Sequence, residues 1–446
     1  MEFQNPTLKD LATSISKNVS LIDTCFDRSS LPVPSFSIHG LRRWDHPELG
    51  IEAQEARIAL IDAATDLLHL ALGPNEYLRS EYIAQKYDFF IIGALNYYNV
   101  FEAVPLTESI TYSDLAKKCS LTEARLKRWV RHAISKRIFW APSQDTVAHT
   151  ITSAELARDE TAWAWLGHNV EEIGPAAAKI MEQTDRYGDS GNPAEAAIML
   201  AIPESTAAND LFEWVENDGV GEPKLSDGKI DKFDRTKGWR ARRFGHCMKF
   251  LTSGGGYSSS HVHGFDWDAL GKATVVDMGG SSGHLSIELA SKHPNLTITV
   301  QDLANLQAQF KDSLPSSLQS RVSFQVHDFM ESQTITADVY FFRFIFHDWP
   351  DNMSIKILQN VVPVMKKGSR IIVMDGVMPE PGETSNFVLR ANTSMDLQMM
   401  TAFNAKERRR EDWIKLFHEA DKRLVVKQFL QPRGSALTLI EVVFEG

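Results

Sequence analysis

The run Asp277-Met278-Gly279-Gly280-Ser281-Ser282-Gly283-His284 puts a carboxylate and three glycines where an apolar stretch gives way to a helical pattern. Glycine lets a backbone turn sharply and approach a ligand closely. A dinucleotide fingerprint requires G-x-G-x-x-G, and counting from Gly279 its second and third glycine positions hold Ser281 and His284. The loop therefore suits a ligand without a pyrophosphate better than it suits NAD. A plain structural turn is the competing reading. Asp302, at the end of the next apolar run, is placed to chelate a ribose diol. Asp328-Phe329, at the end of the third, offers a carboxylate for an adenine amino group and an aromatic face for its ring. Each carboxylate alone is better explained as a helix cap or a loop solvator. Three in register after successive strands favour the ligand.

These residues need a frame that delivers them to one edge. Apolar runs at 273–278, 296–301, 322–326, 338–345 and 370–374 end in or near Asp277, Asp302, Asp328, His347 and Asp375. One strand–helix unit separates each from the next, which predicts a doubly wound α/β sheet with its site along the carboxyl ends of the strands. The last two runs, 424–430 and 436–444, are joined by Gln431-Pro432-Arg433-Gly434-Ser435. That connection is too short for a parallel crossover, so an antiparallel terminal hairpin is expected. A mostly parallel sheet closed by such a hairpin is unusual among nucleotide-binding folds and points towards methyltransferases.

Upstream, the chain reads as helical to residue 145. Residues 52–72 carry apolar side chains at helical spacing, and 87–104 is mostly apolar without strand alternation. Thr111-x-x-Asp114 and Ser120-x-x-Glu123 fit capping boxes for two short helices, and 136–140 leads into a strand-like stretch, the order of a winged helix. On the second helix Leu126, Val130, Ala133 and Ile134 share one face and Arg125, Lys127, Arg128 and Arg131 the other. A DNA-recognition helix and a solvated face both fit, but phosphate contact wants a wider basic footprint. Residues 150–250 are again mostly helical around Trp163, Trp165, Phe212, Trp214 and Trp239, and 217–237 is expected as a long exposed loop. The expected division is 1–150, helical and winged-helix-like; 151–265, a helical connection contributing to the substrate site; and 266–446, the cofactor-binding catalytic domain.

Composition narrows the partners. The 446 residues are 43% hydrophobic and 24% charged, enough for two or three soluble domains. A net charge of −11 argues against a polyanion as the main partner. Cys25, Cys119 and Cys247 form no disulfide framework and no paired zinc spacing, which fits a reducing, cytoplasmic setting. No apolar stretch reaches the ~18 residues of a membrane helix, and residues 1–6 lack the order of a signal peptide. Nucleic acid, membrane and secretion are not expected. His246, His261 and His263 have no carboxylate or cysteine framework beside them, so no metal site is expected either.

Taken together, 277–283, the segment Phe342-Arg343-Phe344-Ile345-Phe346-His347-Asp348-Trp349-Pro350-Asp351 and Lys406-Glu407-Arg408 resemble the S-adenosylmethionine-dependent O-methyltransferases of the plant caffeic-acid and fungal secondary-metabolite type. The resemblance covers nearly the whole chain, and the His-Asp-Trp segment is its most specific part. It implies a class I methyltransferase fold, S-adenosylmethionine as cofactor, no metal, a small-molecule acceptor and a homodimer joined through the winged-helix domain. It implies that His347 is the general base, a task suited to an imidazole near neutral pH, with Asp375 and Glu407 flanking it. Cofactor contacts fall to Asp277, Gly279, Gly280, Gly283, Asp302, Asp328, Phe329 and Arg343. Three positions depart from the family pattern: Arg343 stands where Lys is common, Asp375 where plant enzymes often carry Glu, and Ser281 replaces a middle glycine. Met395 and Met399 would line the acceptor site, although with Met400 and Phe403 they also read as core. Arg409 and Arg410 read as a solvated charge run.

Without the resemblance, His347 also reads as a histidine at a helix start, with Asp351 capping the helix beyond it. The expected reaction is methyl transfer to a hydroxyl of an aromatic or polyketide-like molecule. One alternative keeps the bound cofactor but catalyses dehydration or pericyclic closure; the intact His347, Asp375 and Glu407 favour methyl transfer. Another is a winged-helix regulator with a vestigial catalytic domain, which the acidic balance disfavours.

Overall fold

The computed structural model describes residues 5–203, 208–222, 232 and 234–446. Residues 223–231 and 233, within the loop expected at 217–237, lie outside the described residues, as do 1–4 and 204–207. The chain divides into two units. One comprises Met1–Pro175, Val215–Leu251 and Gly382–Arg390, the other Ala176–Trp214, Thr252–Pro381 and Ala391–Gly446.

In the first unit, helix Leu8–Asp27 starts at a capping box, with Thr7 and Asp10 satisfying each other's backbone N–H groups. Its Ile22 and Phe26 pack with Ala53 and Ala56 of helix Gly50–Glu76. That helix breaks its regular geometry at Gly73, which adopts φ +67° ahead of Pro74. A second core gathers Leu95, Phe101, Leu115, Leu126, Val130, Phe139 and Val147. It lies among helices Tyr112–Lys118 and Glu123–Ser135 and three short strands, β1 (Ile110–Thr111), β2 (Phe139–Trp140) and β3 (Thr146–His149), paired antiparallel in the order β1-β3-β2. Thr111 caps the first helix through the Asp114 amide at 3.1 Å. Ser120 does not cap the second. It sits at φ +54° in the turn between the two helices, and Thr122 holds the N-cap position without a side-chain bond. Lys127 on the basic face is paired with Asp145 at 2.8 Å.

The same unit contains a buried ionic cluster. His168 Nδ1 meets Glu172, which also receives Arg240 Nη1 at 2.8 Å and Arg243 Nη2, while Arg243 Nη1 reaches Glu171 at 2.9 Å. Burial works against ionising Glu172, but His168, Arg243 and Arg240 together hold it down to about 2.

The second unit is built on a seven-stranded sheet of β4 (Ala273–Met278), β5 (Leu296–Asp302), β6 (Val322–Val326), β7 (Val339–Arg343), β8 (Arg370–Asp375), β9 (Leu424–Leu430) and β10 (Thr438–Phe444). Their order is β6-β5-β4-β7-β8-β10-β9, with β10 alone antiparallel to its neighbours. This is the α/β architecture that the apolar runs predict, terminal hairpin included. The central strands are apolar on both faces because both are covered. Tyr340, Phe342 and Val373 pack with Trp413 and Phe417 of helix Arg410–Ala420. Phe341, Ile372 and Met374 share a core with Trp267 and with Leu285 and Leu289 of helix His284–Lys292. The strand order reverses between β4 and β7, which opens a crevice at their carboxyl ends where open α/β sheets take ligands.

Candidate active site

The glycine loop leaves β4 at that crevice. Gly279, Ser281 and Gly283 all have positive φ, at +71°, +53° and +75°. A Cβ on Gly280 would stand 2.5 Å from Asp277 Oδ2, so the loop hugs the strand it has just left. Asp277 is buried and accepts from Ser286 Oγ at 2.6 Å, tying the strand to the following helix. Burial pushes its carboxyl up to about 6. Asp302 accepts from the Ser281 and Leu303 amides, both at 2.8 Å, which brings the end of β5 onto the glycine loop. Asp328 accepts from the Met330 amide and stays in its own turn, while the Phe329 ring meets Trp349 edge-on at 6.0 Å. Arg343 ends β7, donates to the Tyr257 carbonyl at 2.8 Å and leaves its buried Nε without a partner among the described residues. Burial lowers it to about 10. A glycine cradle, an acid at the next strand end and an orphaned guanidinium N–H suit a ligand with a ribose and a carboxylate.

His347 follows β7 in the tight turn Phe346–Asp348. Its Nδ1 lies 2.9 Å from Glu407 Oε1 and 3.7 Å from Asp375 Oδ1, its backbone N–H donates to Asp375 Oδ2 at 3.3 Å, and Asp348 Oδ1 is 3.5 Å from Nε2. Phe344, at φ +54°, stacks on the imidazole at 5.3 Å. Two residues distant in sequence, Asp375 and Glu407, thus converge with Asp348 on one ring. Burial would push the imidazole down, yet Asp375, Asp348 and Glu407 outweigh it and raise His347 to about 10. The acids respond in kind, burial lifting Asp348 to about 7 and Asp375 to about 6. The resting imidazole therefore holds its proton beside Asp348 and Asp375. The donor atoms of His347, Asp375 and Glu407 lie within 4.8 Å of one another, the one such trio among the described residues.

Residues that local reasoning passed over hold this cluster in place. Arg408 is fully buried and grips the His347 turn, donating to the Phe346 and Trp349 carbonyls at 2.6 and 2.9 Å, to Ser354 Oγ at 3.1 Å and to Asp351 Oδ1 at 2.9 Å. Asp351, expected as a possible cap, instead serves Arg408 and Lys406. The Glu407 amide donates to Asp396 Oδ1 at 2.8 Å on helix Asn386–Phe403. A Cβ on Gly376 would collide with Glu407 Oε2, so only glycine leaves that carboxylate its position. Met399 is buried and Met395 half-buried on the helix of Asp396. Arg408 had a signal in its place beside Glu407, and Asp348 in its place beside His347; Gly376 had none.

Residues 259–422 match the family described as the O-methyltransferase domain. Over 448 residues the chain is 34% identical to the O-methyltransferase pyvH of Aspergillus violaceofuscus, covering 98% of each chain. A crystal structure of OxaC in complex with SAH and oxaline superposes with a TM-score of 0.70 at 22% identity, covering 97% of this chain and 100% of that one. A structure described as a pericyclic reaction enzyme does so with 0.68 at 20% identity, covering 97% and 100%. Both likenesses show the fold alone. No described helix is long and apolar enough to cross a membrane.

Proposed function

We propose, for a chain that belongs to the S-adenosylmethionine-dependent O-methyltransferases, that it methylates a hydroxyl of an aromatic or polyketide-like secondary metabolite with His347 as general base. The observation that carries this reading is the imidazole held by Glu407 at 2.9 Å beside Asp375, just past the strand that flanks the glycine cradle. Bound S-adenosylmethionine supplies an electrophilic methyl on a sulfonium. Asp302, the loop glycines, Arg343, Asp328 and Phe329 would hold it, and Asp277 would fix the loop from beneath.

The chain's own task is to orient the acceptor and take one proton. A carboxylate on Nδ1 fixes the tautomer, so Nε2 is the nitrogen that meets the hydroxyl. Because three carboxylates favour the imidazolium, the base becomes competent only after giving up the proton it holds at rest. Met395 and Met399 are proposed to line the acceptor pocket. The helices at 112–135 with their strands are proposed as a winged helix used for homodimerisation. The exposed Leu68, Leu78, Tyr82, Ile83, Tyr87 and Phe90 lie on the helices before these elements, and so much apolar surface suits a second copy there. The functional division at 150 and 265 and a cytoplasmic location belong to the same proposal.

The test is mass spectrometry of reactions with methyl-labelled S-adenosylmethionine and a panel of phenolic and polyketide acceptors. Labelled product with one S-adenosylhomocysteine per product is the expected result. Retained cofactor that is never consumed, with turnover of a reactive polyene or quinone-methide precursor, would replace methyl transfer with ring closure.

A further inference from the structure

The proton that His347 takes must leave again, once for every methyl delivered. On the Nδ1 side it has nowhere to go: the Asp375 side chain is fully buried and that of Glu407 is 7% exposed. Phe344 covers one face of the ring. On the Nε2 side stands Asp348, whose side chain is 18% exposed, the most open of the three carboxylates. Asp348 also differs in its bonding. Asp375 accepts from the His347 and Gly376 amides, and Glu407 accepts from the imidazole. Asp348 accepts no hydrogen bond from the described residues, so its oxygens are free to take and pass a proton. Charged or ionisable groups facing the cluster from other elements are Arg343 and Arg408 towards Asp375, and Asp396 and Tyr257 towards Glu407. Among the described residues, the ion pair at Nε2 is with Asp348.

We propose that Asp348 is the proton outlet of this site, receiving the proton from His347 Nε2 and releasing it to water. This rests on His347 being the base. The acceptor O–H bond breaks, its electron pair stays on the oxygen that forms the new C–O bond, and the proton joins Nε2. The Nε2–H bond then breaks towards Asp348 Oδ1, and the carboxylic acid so formed ionises into solvent. The imidazole and the carboxylate both return to their starting forms. A carboxyl lifted to about 7 gains and loses protons readily near neutrality, as an outlet must.

The experiment needs no acceptor. In a chain labelled with ¹⁵N-histidine, NMR reads the exchange of the His347 Nε2 proton with water, with His168 in the first unit as internal reference. Asp348→Asn is expected to slow His347 exchange by about tenfold and leave His168 unchanged, and Asp348→Glu to restore it to within about threefold. Exchange in Asp348→Asn within twofold of the wild-type chain overturns the outlet, even where labelled-methyl transfer succeeds. If Asp348→Asn fails to fold, the wild-type chain decides: exchange that rises through a single ionisation near pH 7 supports the outlet, and exchange flat across pH 6–8 removes it.

Discussion

Each unit buries a histidine against a glutamate through Nδ1, and the two surroundings push in opposite directions. Around His168, two arginines accompany Glu172, so the acid is held down to about 2 and the charges are matched. Around His347, three carboxylates outweigh burial and raise the imidazole to about 10, while burial lifts Asp375 and Asp348 to about 6 and 7. The first arrangement locks two helical segments together. The second leaves protons in play near neutral pH, which is what acid–base chemistry requires. A buried histidine–carboxylate pair is therefore not a site by itself; the balance of the other charges decides.

That contrast can be broken at either end. The largest effect is expected from His347→Ala, which should lower kcat by ~10²–10⁴-fold while S-adenosylhomocysteine binding by calorimetry stays intact. Unchanged turnover would take His347 out of the chemistry. In the other cluster, Arg243→Met should cost about 3–5 kcal/mol in urea unfolding, because it leaves Glu172 buried and under-paired. A loss confined to activity would contradict the structural reading.

The pH responses should also diverge. Rate should climb from neutral pH towards the value near 10 of His347, because the base works only once deprotonated. The same raised value means that the charged His347 imidazole stabilises the fold fully below 6.5 and loses that contribution as pH rises through about 10. Glu172 acts in the opposite sense, stabilising above 4.5 and losing its contribution as pH falls through about 2. Melting temperatures of Glu172→Gln should accordingly fall less between pH 5 and pH 3 than those of the wild-type chain. A smaller effect, about tenfold in kcat, is expected of Gly376→Ala, whose methyl displaces Glu407 from the imidazole. The smallest is none at all: EDTA should leave turnover unchanged, since Nδ1 of His347 is already committed to Glu407.

Much of this was legible because it is local. A strand buried on both faces writes itself as an apolar run, and its ligand-side end as the polar residue that stops the run, hence Asp277, Asp302 and Asp375. His347 and Glu407 stand out through the motifs around them. What escaped depends on distance or on a single contact. Arg408 sits in a string of charges that looks solvated, and nothing nearby in sequence announces that the His347 turn closes over it. Arg243 and Glu172 are 71 residues apart, beyond any periodicity. Ser120 and Thr122 both fit a cap, and only the left-handed turn at Ser120 decides between them.

The place of β10 has a consequence for how the protein is made. β9 is synthesised before β10 yet pairs with no other strand, and β10 slots between β9 and β8 with Thr438 opposite Asp375. On the ribosome, β8 therefore waits with an open edge while some sixty further residues emerge. During that interval the strand carrying Asp375 is an edge of the nascent sheet open to mispairing with a neighbouring chain. A chaperone that shields this edge until 438–444 arrive would raise the yield of active protein without touching any residue of its site.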